Sequence, residues 1–110
     1  MEIILKDLPK ISNNKFYAGI HWTARKKMKD AYTWIVKSQF KDVLSKSKQY
    51  EADYLFHFKK NPLDASNCVG MAKMIEDIIF ENDKYDIVLK MSLSSRKAKQ
   101  DEVIITIKEI

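Results

Sequence analysis

The chain has 110 residues, 45% of them hydrophobic and 11% aromatic, which is room for one domain with a real core. Twenty Lys+Arg against fifteen Asp+Glu give a formal net charge of +5. No apolar run approaches the ~18 residues of a membrane span, and the lone Cys68 excludes an intrachain disulfide and a cysteine-built zinc site and suits a reducing cytosol.

The N-terminal stretch "MEIILKDLPK" has no basic lead and no small-residue cleavage site, so it reads as a strand over Glu2 to Leu5, ended by Pro9. "KISNNKFYAGIHW" follows as a loop rich in Asn and Ser and carrying Gly19, and Thr23 is placed to cap a helix. Met28, Ala31, Tyr32, Ile35, Val36, Phe40, Val43 and Leu44 recur at three-four spacing, which predicts a long amphipathic helix near Ala24 to Ser47. Its polar face carries much of the positive charge: residues 23–48 hold eight basic residues and two acids. Such clustering favours phosphate backbones through counterion release, with a plain solvated helix face as the alternative.

Tyr54 to Lys59, "YLFHFK", predicts a strand with Tyr54, Phe56 and Phe58 on one side. Residues 66–80 predict a second helix that buries Cys68, Met71, Ala72, Ile75, Ile78 and Ile79, while Ser66, Gly70, Lys73 and Asp77 share another face. Ile87 to Leu93 and Glu102 to Lys108 predict strands joined as a hairpin by the basic loop 94–101, "SSRKAKQD". The expected fold is α/β of the α+β kind: one domain over 1–110, order β-α-β-α-β-β, with a mixed sheet of about four strands and two helices.

The acids collect in one place. Six of the fifteen (Asp64, Glu76, Asp77, Glu81, Asp83, Asp86) lie between residues 64 and 86, with two lysines, Lys73 and Lys84. Asp64 and Asp83 stand in the two connections flanking the second helix. If those connections converge at one end of the sheet, the pair can bind one hard cation such as magnesium or manganese. That ion would lower the pKa of bound water and neutralise a scissile phosphate, and Lys73 would stabilise the transition state. The bland alternatives are capping aspartates and an i,i+4 surface pair of Lys73 and Asp77.

"PKISNNKFY", "HWTARKKMKD", "LDASN", then Lys73, Asp77 and "ND" at 82–83 resemble, in the same order over nearly the whole chain, the RusA-like Holliday junction resolvases. The family's most specific motif is Asp-x-Asp-Asn opening the second helix, with a later Asp-Asp or Asn-Asp. The resemblance implies a homodimeric, magnesium- or manganese-dependent endonuclease that resolves four-way DNA junctions by paired nicks, in the cytoplasm of a bacterium or of a phage's host. Asp64 matches the first acid, Asn67 the asparagine and Asp83 the acid after the helix; Lys73 and Asp77 match a helix lysine and aspartate. Ser66 stands where the motif has its second acid, so the ligand set becomes Asp64, Asp83 and Ser66, one carboxylate short. The implied catalytic group is Asp64, Asp83, Lys73 and Asp77. The expected DNA contacts are Asn13, Asn14 and Lys15 of the first loop, Arg25, Lys26, Lys27 and Lys29 of the basic helix, Asn67, and Arg96, Lys97 and Lys99. A weakened or inactive relative that binds branched DNA or a protein partner is the alternative. Trp22 is expected to pack, His57 to be a half-buried strand histidine, and His21 to pack or to stack on nucleic acid.

Overall fold

The computed structural model describes residues 1–17 and 22–110, apart from the side chains of Phe16 and Tyr17. His21 and Gly19 lie outside the described residues. The elements run β1 (Glu2–Lys6), α1 (Asn13–Tyr17), α2 (Trp22–Gln39), β2 (Tyr50–Phe58), a 3-10 turn (Ala65–Cys68) leading straight into α3 (Val69–Ile79), β3 (Val88–Lys97) and β4 (Glu102–Glu109). The sheet is mixed, in the order β1-β4-β2-β3, with β2 parallel to β3 and the other pairs antiparallel. The α+β class and the four-stranded mixed sheet are as expected. No helix among the described residues is long and apolar enough to cross a membrane.

Period-two alternation decides which sheet face is covered. Ile3 and Leu5, Ala52, Tyr54, Phe56 and Phe58, and Val103, Ile105 and Ile107 are buried beneath Tyr32 and Val36 of α2 and Met71, Ala72, Ile75 and Ile79 of α3. Tyr54, Phe56 and Phe58 lie in register down β2, with successive ring centroids 6.3 and 6.2 Å apart. Each such buried aromatic contributes about 2–3 kcal/mol by area removed from water. Ile4, Leu55 and Ile104 sit on the other face, which the helices leave open.

Three expectations are corrected. First, a third helix, α1, occupies part of the predicted loop; Ser12 Oγ accepts the Lys15 N–H and starts it. Second, α2 ends at Gln39, not near Ser47. The Gln39 amide clamps both backbone groups of Lys6 at the end of β1, accepting its N–H at 2.6 Å and donating to its carbonyl at 2.8 Å. Beyond it, Leu44 bridges to the segment after α3, its N–H on Ile79 O and its carbonyl on Glu81 N–H.

Third, β3 and β4 do not form a hairpin: β2 lies between them. Ser94 to Lys97 belong to β3, and residues 98–101 cross the end of β2, a span of about 10 Å or two strand spacings. The crossing is held by Ala98 N–H on Phe58 O at 2.9 Å and by Lys59 N–H on Asp101 Oδ1 at 2.8 Å.

Candidate functional site

The site grows from the pattern of α3, "VGMAKMIEDII". Ala72 and Ile79 face the core, and Glu76, between them at i+4 and i−3, is carried onto the same face. It is 3% exposed, the one charged residue buried among the described residues. Lys73 and Asp77 lie on the flank of that face, one turn apart. Phe80 leaves the helix in an extended conformation (φ −102, ψ 136). A short Asx-type turn follows, in which Lys84 N–H donates to Asn82 Oδ1 at 2.9 Å, and it brings Asp83 back along the helix.

The result is a carboxylate cluster around one ammonium. Lys73 Nζ donates to Asp83 Oδ2 at 2.9 Å and to Glu76 Oε2 at 3.2 Å. The hydrogen bond from Lys73 holds Asp83 below the usual carboxylate range. Burial raises Asp77, and a carboxyl hydrogen bond with Asp83 raises it further. Burial also raises Glu76, and Lys73 offsets only part of that. Burial alone would lower Lys73, but the bond to Asp83 and the field of Glu76 outweigh it and its pKa is raised.

Two atoms beside this cluster are left over. Glu76 Oε1 and the Tyr54 hydroxyl are buried with no hydrogen-bond partner. Burial, then the charges of Glu76, Asp83 and Asp77, push the Tyr54 phenol far above its ordinary range, so the hydroxyl stands in the field of all three acids. On the outer side, Lys29 of α2 acts on Asp77, and a crevice of about 130 Å³ lined by Lys29, Thr33, Met74, Asp77 and Ile78 separates the helices.

The other expected residues are placed differently. Asp64 precedes the 3-10 turn, about 15 Å of helical rise before Lys73. Its exposed side chain makes no capping hydrogen bond, so the capping alternative fails for it. Ser66 is exposed, and its carbonyl accepts Asn13 Nδ2 at 2.7 Å. Among the described residues, neither the Asp64 nor the Ser66 side chain hydrogen-bonds to any member of the Lys73 cluster, and no three His, Cys, Asp or Glu side chains are grouped to hold a metal ion. The oxygen donors that do converge on a positive charge are those of Glu76 and Asp83, whose hard chemistry suits magnesium or manganese.

Asn13 and Asn67 are committed inside the protein. Asn13 Oδ1 accepts the Gly70 N–H at 2.8 Å, its Nδ2 holds Ser66 O, and its own N–H donates to Asn67 Oδ1 at 3.0 Å. Asn13 thus caps α3 from another element, since neither Asp64 nor Cys68 caps with its side chain. Asn14, Lys15, Lys26, Lys27 and Lys29 are exposed, and Arg25 is half-buried. Lys26 pairs with Asp30 at 2.9 Å on the surface. Arg96 and Lys97 end β3 and Lys99 lies in the crossing, all exposed. Trp22 is 69% exposed, against the expectation that it packs, and Trp34, which the sequence did not single out, is 76% exposed. His57 is half-buried in β2, with Nδ1 3.6 Å from Glu102 Oε1.

No protein-family model matches the chain, and no curated protein matches it.

Proposed function

We propose that the chain is a RusA-like, metal-dependent endonuclease that resolves four-way DNA junctions by paired nicks, acting as a homodimer. The observation that supports this reading is the acid–lysine cluster on α3 set beside the basic helix α2, with Lys29 reaching the field of Asp77. A polyanion on α2 would lie next to the Glu76 and Asp83 carboxylates. The exposed and uncapped Asp64 carboxylate is available to the same DNA.

In this reading Lys26, Lys27 and Lys29 hold backbone phosphates by charge. Asp83, held ionised, keeps a negative charge where the cation is needed. Partial burial and the neighbouring Asp83 carboxylate raise Asp77 above the usual carboxylate range. The Lys73 ammonium offers its charge to the phosphate as negative charge develops there. A hard divalent cation, when bound, supplies an activated water and neutralises the scissile group.

A second reading is a RusA-like protein that binds branched DNA without cutting it. It is favoured by the uncharged Ser66 and by the ammonium that already neutralises Asp83 and Glu76. A labelled synthetic four-way junction incubated across a magnesium and manganese titration separates the two. The nuclease reading expects paired nicks from wild type, loss of nicking with retained binding in Asp83→Asn and Asp64→Asn, and higher activity at low metal in Ser66→Asp. Tight binding with no nicking at any metal concentration selects the second reading, and failure to bind junctions overturns both.

A further inference from the structure

We infer that Glu76 and Asp83 together seat a hard divalent cation, magnesium or manganese, in the place the Lys73 ammonium holds in this structure. The use of this seat in cutting DNA rests on the nuclease reading above; the seat itself does not.

The ammonium marks the place. Two carboxylate oxygens from different parts of the chain, Glu76 on α3 and Asp83 in the turn after it, close on Lys73 Nζ at 3.2 and 2.9 Å. That is an arrangement of anions about one point of positive charge. Magnesium needs no more protein than this, because it keeps several waters and is commonly bound by one or two carboxylates plus substrate phosphates. A three-acid cage is not required, and none is grouped among the described residues.

The leftover atoms point to a missing partner. Burying a carboxylate is costly unless it is paired and its lone pairs are satisfied. Glu76 is 3% exposed, yet Lys73 serves only Oε2; Oε1 has no partner, and neither has the fully buried Tyr54 hydroxyl in the field of the same acids. Buried polar atoms in folded proteins are almost always satisfied by protein, water or an ion. A hydrated cation brings both charge and water donors to this spot.

Lys73 can give way. Its side chain is 42% exposed, against 3% for Glu76 and 29% for Asp83, so the ammonium can swing out on its four-carbon stem while the acids stay in place. Once displaced, it is free to meet a phosphate on the α2 side. Glu76 and Asp83 together place two negative charges about the ion.

The test needs no DNA. Manganese binding to the full chain is followed by the loss of the free Mn²⁺ electron paramagnetic resonance signal. Wild type should bind one ion per protomer. Glu76→Gln, nearly isosteric, should weaken binding roughly tenfold or more, on the scale that loss of groups in a metal site costs. Lys73→Ala should tighten it, because the competing cation is gone. Wild type without manganese binding at millimolar concentration, Glu76→Gln binding as wild type, or Lys73→Ala binding no more tightly would each overturn the seat. Junction binding of the same samples in EDTA reports separately on the DNA reading: a failed seat with junctions still bound spares that reading, and an intact seat without junction binding does the reverse.

Discussion

Asn13→Ala separates a structural amide from a DNA-contacting one. The change removes two hydrogen bonds, Gly70 N–H to Oδ1 at 2.8 Å and Nδ2 to Ser66 O at 2.7 Å. The first is a cap on α3, worth about 1 kcal/mol and up to 2. The second contributes about 1 kcal/mol net. Both are part of the junction between α1 and the start of α3, so the sum of about 2 kcal/mol should appear in global stability. For a domain near this size that is a fall in Tm of about 10 °C. Asn14, its exposed neighbour, is the control, and Asn14→Ala should shift Tm by no more than a degree or two. The assay is thermal unfolding by circular dichroism, paired with junction binding well below either transition. If Asn13→Ala melts with wild type but loses junction affinity, the cap argument is refuted and the amide belongs to the DNA surface.

Three further outcomes are expected. Tyr54→Phe removes a buried hydroxyl without a partner, so in EDTA it should be neutral or stabilising by about 1 kcal/mol in a urea titration; a loss above about 2 kcal/mol would mean that something satisfies the hydroxyl in solution. Burial raises the Cys68 thiol to about 11, so the folded state holds that proton more tightly than the unfolded one. The stabilisation is complete below pH 9 and is lost as pH rises towards 11, roughly 2–3 kcal/mol at 1.4 kcal/mol per unit, and the alkaline fall in urea midpoint should flatten in Cys68→Ala. Replacing Lys27 and Lys29 with Gln should lower the slope of log K against log salt for duplex DNA by about 2, and an unchanged slope would remove α2 from the phosphate surface.

Much of this fold can be read from local pattern. The β2 aromatics alternate, and the α3 stripe recurs at three and four, so both elements and their buried sides follow from the period alone. Strand pairing does not. The alternation of β4 says which side faces the core but nothing about which strand lies beside which, and the eight-residue loop 94–101 suggests a hairpin where the connection in fact steps over β2. The end of α2 is set by Gln39 meeting Lys6, 33 residues away, and no helix-breaking residue announces it. The roles of Asn13 and Asn67 are long-range for the same reason. Glu76 was different. Its offsets of four from Ala72 and three from Ile79 place a carboxylate on the buried stripe, and that is visible in the sequence among five other acids of the same segment. Both Asp64 and Asp83 flank the helix in sequence, but only Asp83 folds back to join the charge gathered around its middle.

The placement of β4 has a consequence for biosynthesis. This strand is made after the other three, yet it lies inside the sheet, with β1 on one side and β2 on the other. Until it emerges, Glu2–Lys6 has no partner, and the aromatic strand Tyr50–Phe58 offers one bare edge to whatever else is nearby. Pairing Glu2 with Thr106 closes almost the whole chain into a single loop, the kind of distant contact that slows folding. The nascent protein therefore cannot settle element by element as it leaves the ribosome. It should depend on chaperones that shield exposed strands, and a ribosome stalled before residue 102 should yield a chain that proteases digest throughout.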